Sequence, residues 1–140
     1  MNRSLVVVQD GGHETQRTLQ LLLAGILVML VNACATYSRS GQAALTGTWT
    51  NSLGTVWTCR ADGTFDVDLN RDGKRDAWGT VTVSGNTATV QRTGGINPKG
   101  CNGPGVYTFT RPDKDSLQFT LVSDACKLRK KNVLLAWHRK

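Results

Sequence analysis

Glutamate is almost absent from this chain: among 140 residues only Glu14 carries that side chain. Histidine is nearly as scarce, with His13 near the start and His138 near the end. Downstream of Glu14, therefore, few groups titrate near neutrality, and no nucleophile stands at a recognisable spacing from a base. Gly94, Gly95, Gly100, Gly103 and Gly105 lie between β-patterned segments and do not lead into a helix, so they make no phosphate cradle. There is no CxxC pair and no Cys/His cluster of the kind that holds zinc. Helix-period segments are missing beyond Thr46. No uncharged apolar run reaches the ~18 residues that a membrane-crossing helix needs. These absences argue against the common enzyme classes, and the chain reads as non-enzymatic.

What is present begins with an apolar run, "LLLAGILVMLV" at 21–31, preceded by Arg17 and Arg3. Its length suits the apolar core of an export signal. The run passes directly into "VNAC" at 31–34, which resembles the lipobox of bacterial lipoproteins. The resemblance implies cleavage after Ala33, a lipid on the thiol of Cys34 and anchoring to the membrane through it. Ala35 in the next position implies the outer membrane of the bacterial envelope. The expected organisation is a signal peptide over 1–33, a flexible tether over 34–45 and a folded body over 46–140.

Charge is lopsided. The net charge is +7, and downstream of residue 33 eight Asp face fifteen Lys and Arg. The excess gathers in "KLRKKN" (127–132) and "HRK" (138–140). Such runs are usually solvated faces, with anionic headgroups or cell-wall polyanions as the functional alternative. Nothing around them resembles a nucleic-acid-binding motif, and no nucleic-acid partner is expected.

From Thr46 onward the pattern is β, rich in Thr and Val and punctuated by turn signals. Eight strands are expected, at 46–51, 55–60, 64–70, 76–84, 87–93, 105–111, 116–123 and 132–140. A short helical turn is allowed for in "KLRKKNV". "SLG", "ADG", "GN" and "PDKD" supply hairpin turns. Phe65, Val67 and Leu69 alternate with polar neighbours, as do Leu117, Phe119 and Leu121, and Val133, Leu135 and Trp137. One face of each strand is thus expected inside. The fold class is all-β. An eight-stranded antiparallel up-and-down barrel is the most economical closure because it leaves no open edge; a two-sheet sandwich is the competitor.

Two motifs bear on that choice. "GTW" at Gly47–Trp49 resembles the G-x-W that opens lipocalins, and "SDACKLRKKNVLLAWHRK" resembles the close of small bacterial lipocalin-like domains. The resemblance spans Thr46 to Lys140. It implies an arginine from the end of the chain stacked on Trp49, either Arg129 or Arg139, a contact worth about 0.5–2 kcal/mol. It also implies a binding protein for a small apolar ligand. The body is short for a carrier, and its aromatic side chains are numerous enough nearly to fill a narrow barrel. A solid barrel binding another envelope protein, in the manner of periplasmic hydrolase inhibitors, is the alternative. A structural lipoprotein with a basic surface is a third reading.

An up-and-down meander brings the connections after the first, third, fifth and seventh strands to one end. Cys101 and Cys126 meet there and are expected to form a disulfide, while Cys59 points to the other end and stays free. The same end carries "DLNRDGKRD" (68–76), which places Asp68, Asn70, Asp72, the carbonyl of Lys74 and Asp76 at the spacing of a calcium loop around Gly73. Gly79 stands where the helical version has its bidentate glutamate. Any calcium held here would be weakly bound and structural, in the range of about 10⁻⁴–10⁻³ M. The competing account is a polar turn built from residues that tolerate it.

Overall fold

The computed structural model describes residues 40–140. The signal segment, Cys34, Ala35 and the tether through residue 39 lie outside the described residues. A short helical turn, α1 (Gln42–Leu45), precedes eight strands. These are β1 (Gly47–Thr50), β2 (Val56–Cys59), β3 (Thr64–Asp68), β4 (Ala77–Ser84), β5 (Thr87–Gly95), β6 (Gly105–Thr110), β7 (Ser116–Ser123) and β8 (Trp137–Arg139). Helix α2 (Lys127–Val133) lies between β7 and β8.

Each strand pairs antiparallel with the next, and β1 pairs with β8, so the sheet closes into an up-and-down barrel. The closing seam is short. Trp49 faces Arg139 and Thr50 faces His138 across it. Closure leaves no strand edge for another chain to join.

The inside is aromatic. Trp49, Trp57, Phe65, Tyr107, Phe109, Phe119 and Trp137 are all buried. Trp57 makes edge contacts with Phe65, Phe119 and Trp137 at ring separations of 5.9–6.3 Å. Such pairs add about 0.5–1.5 kcal/mol each beyond the area they bury. Strict alternation in β6 puts Gly105, Tyr107 and Phe109 inside. Gly105 belongs in that row for steric reasons, because a Cβ there meets Asp124 and the Arg129 Nε.

Three expectations change. The last strand is 137–139, not 132–140, because α2 consumes its first residues. Leu128 and Asn132, four apart, face one way from that helix, and the Asn132 Nδ2 donates to the Leu128 carbonyl. Val133 therefore belongs to a helix, so of Val133, Leu135 and Trp137 only Trp137 lies in a strand, although Val133 still packs against the core. Leu121 is 40% exposed although its neighbours Leu117 and Phe119 are buried. The β6–β7 register shifts between Val106 and Tyr107, so Leu121 pairs with Tyr107 near the end of the strand.

The third change concerns the tether. Residues 42–45 are not a free linker: Ala44 and Leu45 are fully buried. The Leu45 carbonyl accepts the Trp49 indole N–H at 2.8 Å, and the Ala44 carbonyl accepts the Arg111 Nη1 at 2.6 Å. Gln42 donates to the Cys59 sulfur and the Arg60 carbonyl. The apolar pair Ala44 and Leu45 suits a plug across a narrow barrel end.

Candidate functional site

The two ends of the barrel are built differently. At one, α1 fills the opening and Trp49 lies beneath it, fully buried. The Arg139 guanidinium stacks on that indole at 4.3 Å and the Arg111 guanidinium at 4.7 Å. Of the two arginines expected there, Arg139 takes the place and Arg129 does not. Arg111, from the loop after β6, carries no sequence signal for the role. Gly47 is required at this spot, since its φ of 134° disfavours a side chain and a Cβ would run into Arg139.

Cys59 lies at this closed end, buried and unpaired. Burial pushes its thiol up to about 11, against a smaller opposing effect of the Gln42 hydrogen bond. A thiol so raised is a poor nucleophile.

The other end gathers the connections 51–55, 69–76, 96–104 and 124–136. Cys101 and Cys126 form the disulfide expected of them, across 25 residues of sequence. The Cys126 sulfur also caps α2 by accepting the Arg129 N–H at 3.3 Å. Asp124, just before, is buried with no exposed side chain. It accepts two bonds from Arg129, at 2.5 and 2.7 Å, one from the Cys126 N–H at 2.7 Å and one from the Tyr107 hydroxyl.

Burial alone raises the Asp124 carboxyl. The bonds from Arg129, Tyr107 and Cys126 outweigh that and hold it below the ordinary carboxylate range. Tyr107 moves the other way, raised by burial and then by its bond to Asp124. Arg129, expected on Trp49, is instead the counter-ion that pins α2 to the barrel, and it also donates to the Gly103 carbonyl at 2.9 Å. A second buried network fixes the far end of α2. Thr55 donates to the Asn132 Oδ1 at 2.6 Å, and the Asn51 Nδ2 donates to the Asn132 carbonyl at 3.3 Å.

Between these supports and the aromatic floor lies a cavity of about 110 Å³. Trp57, Phe65, Phe119 and Trp137 form its floor; Val67, Leu69, Ala77 and Val90 form its walls. Ile96, Pro98, Leu128, Val133 and the disulfide surround its upper part. The lining is almost wholly apolar. Arg92 and Arg129 are its charged members. The cavity exists because α2 and the 96–104 loop stand over the barrel without filling it. Sequence periodicity places Phe65, Phe119 and Trp137 inside but says nothing about a void above them.

The Asp-rich hairpin sits at the edge of this end. Its side-chain oxygens accept from the loop's own backbone. Asp68 takes the Arg71 and Gly73 N–H groups at 2.7 and 2.9 Å, and Asn70 takes the Asp72 N–H at 3.2 Å. Asp72 takes the Lys74 N–H at 2.8 Å, and Asp76 takes the Leu69 N–H at 2.7 Å. Arg71 adopts a positive φ of 65° within the turn. These bonds account for the run of Asp, Asn and Gly as turn chemistry. Among the described residues no group of three or more His, Cys, Asp or Glu side chains is arranged to hold a metal ion.

Among the described residues, no helix is long and apolar enough to cross a membrane. A scan against protein-family models and a search of curated proteins both find no match to this chain.

Proposed function

We propose that this protein is an exported, lipid-anchored barrel that binds a small apolar ligand in the bacterial cell envelope. The cavity of about 110 Å³ carries this reading, because an unfilled apolar space over a packed floor is what a ligand gains most by entering. Its size bounds the ligand. A dry cavity of about 150 Å³ admits benzene, so this one takes on the order of four or five non-hydrogen atoms. Bulky carrier substrates are too large for it. The barrel performs no chemistry in this reading. Its body holds no glutamate, and His138 is exposed in β8, away from the cavity lining. Cys34 supplies the membrane anchor.

Xenon tests the cavity. In the full-length protein, dissolved xenon should shift the indole N–H resonances of Trp57 and Trp137, and Val90→Phe, which fills the space, should abolish the shifts. Shifts no larger at these two indoles than at Trp78, outside the cavity lining, would remove the basis for a ligand. Conversion of Cys34 to Ser should release the protein from the membrane fraction.

A second reading has its own observation. Leu53, Ile96, Leu121, Val122 and Leu134 are the exposed large apolar side chains among the described residues, and all lie at the open end. That distribution suits a solid barrel docking another envelope protein by this end.

A further inference from the structure

The polar groups buried around the open end are matched with care, with one exception. Asp124 has Arg129, Tyr107 and a backbone N–H; Thr55 has Asn132. The exception is Arg92. Its Nε is buried and has no hydrogen-bond partner, the one such side-chain atom among the described residues. None of the ion pairs among the described residues involves it. Arg92 follows Ala88 and Val90 at two-residue intervals along β5, the inward register of that strand, and it lines the cavity.

A guanidinium donor removed from water without an acceptor is costly. A native fold keeps such a group where something else completes it. Here the something is placed by geometry: Arg92 lines a void whose other polar members, Arg129, Thr55 and Asn132, are already paired, and whose remaining walls are apolar.

We propose that the ligand of this cavity is a short carboxylic acid, its carboxylate bound by Arg92 and its tail of about two carbons seated on the aromatic floor. The inference rests on the apolar-ligand reading above and adds the head group. A carboxylate matches the planar fork of a guanidinium with two parallel bonds, which a neutral acceptor does not. The orientation follows from the strand. The chain runs along β5 from Val90 past Arg92 and on into the loop with Ile96 and Pro98 at the mouth, so the acid group lies nearer the mouth and the tail lies deeper, against Trp57, Phe119 and Trp137.

The test compares propanoate with propanamide, which has the same shape and no charge, on the full-length protein in detergent. The readout is the indole N–H resonances of Trp57 and Trp137. The expected result is that the acid binds about tenfold or more tightly than the amide. Arg92→Gln should weaken the acid by about tenfold or more and remove its advantage over the amide. Equal affinities for acid and amide in the unmodified protein would overturn the role of Arg92 while leaving an apolar ligand in place. No shift with either compound would overturn both readings. The comparison on the unmodified protein decides the matter even if Arg92→Gln fails to fold.

Discussion

The two ends of this barrel solve the same problem in opposite ways. Each must cover a ring of strand ends and satisfy the loops that join them. The closed end does so with a plug and stacked planes: Leu45 and Ala44 fill the opening, and Trp49 lies between Arg139 and Arg111. Its loop charges balance, with Arg60, Arg111 and Lys114 set against Asp62, Asp113 and Asp115. The open end is held by a disulfide and two polar networks that fix α2 over the mouth without filling it. Lys74, Lys99, Lys127, Lys130 and Lys131 lie there in excess of acids, beside the exposed apolar side chains. One end is packed shut, and the other leaves an apolar space and apolar side chains uncovered.

The sharpest way to break that contrast is at Trp49. Trp49→Ala removes a fully buried ring together with its hydrogen bond to Leu45, and a loss of about 3–5 kcal/mol is expected in urea unfolding. Leu128→Ala, at the half-covered cavity edge, should cost about 1 kcal/mol. Comparable losses at both sites would erase the division of labour.

Next in size is the disulfide. Opening the Cys101–Cys126 bridge by Cys101→Ser with Cys126→Ser should lower stability by about 3 kcal/mol, since the loop it closes is 25 residues long. Amide exchange should rise in α2 and the 96–104 loop and stay low in β1 to β3. Uniform acceleration around the barrel would show that the open end is not a separate unit.

A third prediction uses pH to isolate the closed end. The unfolded Cys59 thiol ionises near 9.0, whereas the folded one is pushed up to about 11. Between these values the folded state holds a proton that the unfolded state has lost, so stability is complete below pH 9 and falls as pH rises toward 11. The loss is about 2–3 kcal/mol. Urea midpoints at about pH 8 and about pH 10.5 should therefore separate more for the unmodified protein than for Cys59→Ala, by an amount of that order.

The smallest expected effect belongs to the Asp-rich hairpin. If calcium binds there with a Kd of about 1 mM, then calcium at about 2 mM adds about 0.6 kcal/mol. Thermal unfolding in calcium and in chelator should differ by at most a few degrees, with the difference removed by Asp72→Ala. A shift well above ten degrees would make the hairpin a principal support of the open end.

Much of this was legible in the residues. Strands β2 to β7 announce themselves through alternation and turn chemistry, and their hairpin joints dictate which loops share an end. That alone is enough to pair Cys101 with Cys126 and to leave Cys59 apart. Apart from Leu121, exposed near the end of β7, the failures fall at the chain ends of the barrel. "NVLLAWHRK" alternates well enough to pass for a strand, yet "KLRKKNV" is a helix whose polar face is committed to Asp124 just before it and to Thr55 and Asn51, partners remote in sequence. "QAAL" looks like linker because so short a segment carries no period, and only the barrel opening makes it a plug.

The sequence by itself determined the strand count, the antiparallel order and which end holds the disulfide, because each of these follows from local periodicity and chain direction. Tertiary structure decided the rest. It chose Arg139 and Arg111 over Arg129 as the partners of Trp49, left a void above the aromatic floor, and put the unmatched donor of Arg92 into its wall. Those outcomes depend on distances between segments far apart in the chain, and no pattern of neighbouring residues encodes them.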